Sequence, residues 1–369
     1  MKKICIITAA RSEYGYLKWL MLNILKNSKL ELSTIITGGH LNIDQGYTID
    51  KIIEDNIPVS EIVDSKIDNT NEYTICESLA RMQSGLTKAL YRLKPECVVV
   101  VGDRYELLSI CSTVFLLGIP IAHIAGGDVT EGAIDDAIRN AVTMLSKYHF
   151  PISSESAKNI ARMRNSGENI FTVGSTSLDF FNKEQLLSRK QLSQKLDLEE
   201  NKQWCLCTFH SETKKSIQEN LETVSAIVSV LLDLSDFQII FTKANTDLGG
   251  KEINEYLELT SQKYTDKCKL FSSLGQLNYF STMKQVKLVI GNSSSGILES
   301  PFLAIPTVNI GDRQKGRYQC DNIVQSDCDY NSILNSVQKA ITMKISTNNL
   351  HYWGNGDASD KIMSILEKL

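Results

Sequence analysis

Short, unbroken apolar runs that alternate with longer helical patterns constrain this chain more than any other feature. The run Cys97-Val-Val-Val-Val101 is apolar at every position. Such a strand is covered on both faces, which is the situation inside a parallel sheet. Similar runs predict strands at Lys3–Thr8, Leu32–Thr37, Ile119–Ile124 and Ile170–Val173 in the first half. In the second half they predict strands at Trp204–Phe209, Phe237–Phe241, Lys269–Phe271, Val286–Ile290 and Pro306–Ile310. Helical patterns in the first half cover Tyr16–Lys26, Glu72–Leu93, Arg104–Leu117 and Ala133–Lys147. Alternating strands and helices build right-handed βαβ units. Two such sets predict an α/β chain of two doubly wound domains, and 369 residues is a fitting length for two. The boundary is expected where a charged helical stretch follows Val173-Gly-Ser175, giving domains 1–176 and 177–355 with a terminal helix over 356–369.

Charge narrows the partners. Lys plus Arg is 39 and Asp plus Glu is 43, a net −4 that argues against a broad nucleic-acid face. It leaves room for one anionic small molecule held by a few local donors. No stretch reaches the roughly 18 apolar residues of a membrane span. The opening MKKICIITAARSEYG has the basic start of a signal peptide, but its apolar run passes straight into Arg11, Ser12 and Glu13 and fits a first strand better. A cytoplasmic address is expected. The nine cysteines include no CxxC pair and no His/Cys set at zinc spacing. They are expected as reduced thiols, mostly in the core, and no metal is expected.

In open α/β sheets ligands sit beyond the carboxyl ends of the strands, so the residues after each strand carry the functional signal. After the first strand, Arg11 lies beside a helix start with Ser12 as a candidate N-cap, a place to clamp phosphate. Next, Gly102-Asp-Arg-Tyr-Glu106 puts Asp103 beside Arg104, a base held ionised by its neighbour or a cap for the next helix. The third junction runs from His123 through Gly126-Gly-Asp-Val-Thr-Glu131 to Asp135-Asp136. Its paired glycines suit a close backbone approach to a ligand. Its four acids, Asp128, Glu131, Asp135 and Asp136, exceed what capping needs. Asp136 is expected to face solvent, and Asp135 to share a helix face with Arg139. His123 is equally a structural or a site histidine.

The fourth junction is Gly291-Asn-Ser-Ser-Ser-Gly-Ile-Leu-Glu299, hydroxyls and N–H groups at a helix start, suited to a diphosphate. It is neither a Walker loop nor a GxGxxG fingerprint. Glu299 is placed for a ribose hydroxyl pair, and Arg313, Lys315 and Arg317 add cations after the next strand. His210 follows Thr208-Phe209 and can donate to a phosphate or move a proton. Asn245 lies just after another strand and can edge a nucleoside pocket.

These junctions, in order from Thr8 to Arg317, together resemble the UDP-N-acetylglucosamine 2-epimerase family, in its hydrolysing branch. The motifs are Thr8–Glu13, Gly102–Glu106, His123–Asp136, Phe209–Thr213, Gly291–Glu299 and Gly311–Arg317. The resemblance covers essentially the whole chain. It implies a GT-B-type fold, two Rossmann-like domains with a cleft between them, and a final helix packed back on the first. It implies elimination of UDP to a 2-acetamidoglucal, then water addition to give free N-acetylmannosamine for sialic-acid-type sugars and capsules. No cofactor is implied, and a homodimer is. By motif, Asp103 and Asp135 fall on catalytic acids, His210 near the phosphates, and Ser293, Ser294, Ser295 and Gly296 on the diphosphate loop. Glu299 falls on the ribose contact, and Arg11 and Arg313 on phosphate or cleft-closing positions.

One position departs from the pattern: Ala125 stands where several members carry glutamate. Either Asp128 or Glu131 supplies that carboxylate, or the substrate differs. The Asp128-Val-Thr-Glu-Gly132 segment resembles a bacterial subgroup acting on a UDP- or GDP-linked 2,4-diacetamido-trideoxy sugar. Other readings are a GT-B glycosyltransferase, a non-catalytic nucleotide-sugar binder, and the non-hydrolysing epimerase.

Overall fold

A computed structural model of the chain describes residues 1–43, 47–129, 134–245 and 248–369, without the side chain of Ile134. Its residues fall into two units, 1–129 with 134–182 and 354–369, and 183–353. The first holds β1 (Lys2–Thr8), β2 (Leu30–Thr37), β3 (Glu61–Val63), β4 (Cys97–Val101), β5 (Ile121–Ile124) and β6 (Tyr148–Phe150). The second holds β7 (Gln203–Thr208), β8 (Phe237–Thr242), β9 (Cys268–Phe271), β10 (Leu288–Gly291), β11 (Thr307–Ile310) and β12 (Ile323–Ser326). The spatial orders are β3-β2-β1-β4-β5-β6 and β12-β11-β10-β7-β8-β9. Every pairing in both sheets is parallel. Each unit is therefore doubly wound in the same order, with its switch point between β1 and β4 or between β7 and β10.

The continuous apolar runs are divided residue by residue between two cores. Cys97, Val99 and Val101 join the cluster of Ile4, Ile6, Leu17 and Leu20 on one face, while Val98 and Val100 join Cys5, Ile7, Leu86 and Ile110 on the other. Cys205 and Cys207 share one face of the second sheet, and Trp204 and Leu206 the other. All nine cysteines are free thiols, seven of them buried. Burial pushes those of Cys5 and Cys97 up to about 12, so they are inert packing groups.

Three strands had no signal in the pattern: β3, β6 and β12. The run Ile170–Val173 is not a strand; Ile170 only bridges His149 of β6, which pairs with β5 instead. The expected boundary after residue 176 also moves. Residues 177–182 stay with the first unit, because buried Asp179 accepts the N–H groups of Ala358 (2.8 Å) and Ser359 (2.7 Å). That carboxylate holds the start of helix Ala358–Leu366, whose Ala358, Ile362 and Leu366 pack in the core with Leu17, Leu20, Met21 and Ile24. Among the described residues no helix is long and apolar enough to cross a membrane.

Candidate active site

At the first unit's switch point, β1 is followed by Ala9-Ala10 and β4 by Gly102-Asp103. The helix after β1 spans Arg11–Leu25 with Ala10 as N-cap, so Ser12 does not cap it. Glu13 does the work instead: its Oε2 accepts the N–H groups of Ala9 (2.6 Å) and Ala10 (3.2 Å). Burial, then repulsion from Glu106, pushes the Glu13 carboxyl up to about 7. Thr8 Oγ1 lies 2.9 Å from His40 Nε2, and burial holds that imidazole neutral, down to about 4. Arg11 is exposed at the helix start.

Arg104 does not hold Asp103. It forms a fork with Glu106, Nε to Oε2 at 3.1 Å and Nη2 to Oε1 at 2.9 Å. The cation of Asp103 is Arg139, from helix Ile134–Leu145. Its side chain is only 2% exposed. Nη2 donates to Asp103 Oδ2, while Nη1 donates to Asp136 Oδ1 (3.1 Å) and to the Asp128 carbonyl (2.8 Å). Arg139 thus faces inward and Asp136 bonds to it, contrary to the solvent position expected for that acid. Asp135, expected to share Arg139's face, lies exposed in the helix's first turn. Ile138 and Val142 are buried beside Arg139 and Thr143, while Ala137 and Ala141 are exposed. Glu131 lies outside the described residues.

The Asp128 carboxylate accepts the Ser156 hydroxyl. Packing within the protein already requires the paired glycines before it. A Cβ on Gly126 would meet His123 Nδ1 at 2.8 Å, and one on Gly127 (φ +80°) would meet the Ser156 carbonyl at 2.2 Å. His123 is structural: Nε2 donates to the Gly102 carbonyl (2.8 Å), and burial lowers it to about 4. It thereby fixes the turn that carries Asp103. Ala125 takes a left-handed φ of +63°, which costs a residue with a Cβ about 1–2 kcal/mol.

In the second unit, buried Asn292 ties the switch point together. Its Oδ1 accepts the His210 N–H and its Nδ2 donates to the His210 carbonyl, both at 2.8 Å. Its own carbonyl accepts Arg313 Nη1 (3.1 Å) and Gln314 Nε2 (2.9 Å). His210 Nδ1 accepts the Asn245 N–H at 3.1 Å, which leaves Nε2 as the protonated nitrogen. Burial, then Arg313, lowers the imidazole to about 3, so His210 is a neutral donor. Ser293 and Ser295 hydroxyls lie 3.0 Å apart beyond β10, half-buried like Ser294. Two of the N–H groups at this helix start bond within the loop. That of Gly296 bonds the Ser293 carbonyl (3.1 Å) and that of Ser295 the Ser293 hydroxyl (3.4 Å). Gly296 packs on Thr307, and the helix is only Ser295–Leu298. Glu299 is buried. Of the three cations, Arg313 reaches the loop, Arg317 bonds Gln314 (3.0 Å) and Lys315 is exposed. A cavity of about 580 Å³ beyond β8 is lined by Lys243, Asn245, Asn254 and Glu255 among others.

Sequence reasoning gave no role to Glu13, Glu106, Asn292 or Gln314, and did not pair Arg139 with Asp103. Only the spacing of Arg139 from Asp136, three residues on a helix, signalled its pairing. Among the described residues no three His, Cys, Asp or Glu side chains form a metal cage.

The chain is similar to known proteins along its whole length. It is 37% identical over 326 residues to the GDP/UDP-N,N'-diacetylbacillosamine 2-epimerase (hydrolyzing) of Campylobacter jejuni, covering 88% of this chain and 84% of that one. Against the UDP-N,N'-diacetylbacillosamine 2-epimerase (hydrolyzing) of Legionella pneumophila it is 27% identical, covering 100% and 96%. The crystal structure of UDP-GlcNAc 2-epimerase from Neisseria meningitidis bound to UDP-GlcNAc matches with a TM-score of 0.83 over all of both chains, at 19% identity. That likeness establishes a GT-B-type fold of two Rossmann-like units. The family model described as UDP-N-acetylglucosamine 2-epimerase matches residues 23–367. A match of that extent, over strand ends that carry an acid cluster in one unit and a serine loop in the other, makes this chain a member of the UDP-N-acetylglucosamine 2-epimerase family.

Proposed function

We propose that the protein is a hydrolysing 2-epimerase of nucleotide-linked 2-acetamido sugars. The observation that carries this is the cluster of Asp103 after β4, Asp128 in the turn after β5, and Asp136 and Arg139 on helix Ile134–Leu145. A glycosyltransferase of the same fold needs one base for its acceptor hydroxyl, which leaves the rest of the acid cluster unexplained. Proton transfer at a carbon is difficult, and carboxylates oriented by a buried cation suit it. In this reading one acid of the pair Asp103 and Asp135 removes the proton on carbon 2. The C1–O bond breaks, its electron pair leaves with the nucleoside diphosphate, and a 2-acetamidoglucal remains. Water then adds its hydroxyl to carbon 1, and carbon 2 is protonated from the opposite face. Asp128 or Glu131 stands in for the glutamate replaced by Ala125. The His210 Nε2–H, the hydroxyls of Ser293 and Ser294, Arg11 and Arg313 meet the charge developing on the diphosphate. Glu299 takes the ribose hydroxyls, and Asn245 edges the nucleoside.

For the sugar we favour a UDP- or GDP-linked 2,4-diacetamido-trideoxy hexose over UDP-N-acetylglucosamine. The two relatives above act on diacetylbacillosamine nucleotides by name, and Ala125 offers a methyl group where a carboxylate would meet a hydroxylated sugar. The test incubates the protein in deuterated water with UDP-N-acetylglucosamine and, separately, with UDP- and GDP-linked diacetamido sugars. The expected products are free nucleoside diphosphate and a free sugar inverted and deuterated at carbon 2, formed fastest from a diacetamido substrate. Hydrolysis without deuterium at carbon 2 refutes the elimination, and a nucleotide-linked epimer as product assigns the other branch.

A further inference from the structure

We infer that Tyr279 is a positioning residue for the diphosphate-binding serines, acting through a chain of hydroxyl groups; this rests on the proposed role of the serine loop. Tyr279 lies on helix Gly275–Gln285, between β9 and β10, outside every motif of the sequence analysis. Its hydroxyl is 2.6 Å from Ser295 Oγ, which is 3.0 Å from Ser293 Oγ. On its other side lies Thr208 Oγ1 at 3.5 Å, itself 2.6 Å from Thr242 Oγ1. The chain runs from buried Thr208 and Thr242, at the ends of β7 and β8, out to the half-buried serines.

Direction follows from chemistry. A phenol is a stronger acid than an aliphatic alcohol, so in a Tyr–Ser pair the phenol is the better donor. Burial raises the Tyr279 pKa and keeps that proton in place. Tyr279 then donates to Ser295, Ser295 donates to Ser293, and the Ser293 proton is left to point outward. Each bond in such a chain polarises the next. A diphosphate offers only acceptors, so the ligand and the chain demand the same orientation of every hydroxyl. Without the phenol proton, Ser295 and Ser293 can each turn and present a lone pair to the anion.

Tyr279→Phe removes one oxygen atom and leaves the ring in place. The wild type is titrated calorimetrically with UDP and with GDP, and the nucleotide that binds is used for the variants. Binding of the corresponding nucleoside is followed by saturation-transfer NMR. Tyr279→Phe is expected to weaken the diphosphate by about 5–20-fold and to leave the nucleoside unchanged. Ser295→Ala reads the same chain from its other end and should give a similar loss. The double variant should lose little more than either single one, because both cut one chain. Unchanged diphosphate affinity in Tyr279→Phe, an equal loss for the nucleoside, or additive losses in the double variant would each overturn the inference. A wild type that binds neither UDP nor GDP overturns the diphosphate reading itself, and the inference with it.

Discussion

Arg139→Met tests the acid cluster directly. The methionine keeps most of the apolar volume of a side chain that is 2% exposed, but removes its charge and its contacts with Asp103, Asp136 and the Asp128 carbonyl. Breaking a fully buried ion pair costs about 3–5 kcal/mol. Here the carboxylates of Asp103 and Asp136 are 29% and 33% exposed, and Asp136 keeps the Asn140 amide at 3.4 Å, so water and that donor offset part of the loss. Adding the forfeited bond to the Asp128 carbonyl, about 1 kcal/mol, gives an expected cost of about 2–4 kcal/mol. For a unit of this size that is a fall in Tm of roughly 5–15 °C, read by calorimetry. The sharper prediction is a change of sign. In the wild type Asp103→Asn removes a partner of Arg139 and destabilises. In the Arg139→Met background it removes one of two facing carboxylates and stabilises. A loss below about 1 kcal/mol in Arg139→Met, or the same sign for Asp103→Asn in both backgrounds, refutes the clamp.

Three further outcomes follow from the same geometry. Glu13, raised from 4.5 to about 7, binds its proton more tightly folded than unfolded. Its contribution is full below about pH 4.5 and lost as pH rises through 7, so Glu13→Gln should gain Tm relative to wild type at pH 8 and not at pH 4.5. A difference that does not change with pH refutes this. Nitrogen-15 NMR should show His210 as the neutral Nε2–H tautomer throughout pH 5–9; a cationic ring at pH 6 contradicts its burial beside Arg313. Gly127→Ala forces a Cβ to within 2.2 Å of a carbonyl, whereas Gly102 has a similar φ of +84° over open space. Denaturant titration should therefore find Gly102→Ala costing about 1–2 kcal/mol and Gly127→Ala at least twice that; equal costs exclude the packing argument.

Much of the architecture was legible because a strand covered on both faces needs an apolar residue at every position. That requirement wrote Cys97–Val101 plainly into the sequence. It does not apply at the margins of a sheet. β3, β6 and β12 are edge strands of three or four residues, too short for a period and free to carry Glu61, His149 or Gln325. At the candidate site the sequence offered positions and not pairings. Asp103 and Arg104 are neighbours in sequence, but successive residues leaving a strand diverge, and each found its partner elsewhere: Arg139, 36 residues on, and Glu106. Tyr279 left no trace because a half-buried tyrosine in a helix looks the same whether its hydroxyl meets water or serine.

The helix tied down by Asp179 carries one more consequence. Residues 183–353 form an insertion within the first unit, whose last core piece, Ala358, Ile362 and Leu366, emerges from the ribosome after that insertion. Until then the groove over Leu17, Leu20 and Met21 stands open, and the first unit waits, incomplete, while the second can already fold. Residues 183–353 expressed alone should be well behaved, and residues 1–182 alone should need a chaperone. Synthesis order thus makes the half that carries the serine loop the earlier of the two to mature, although it is encoded second.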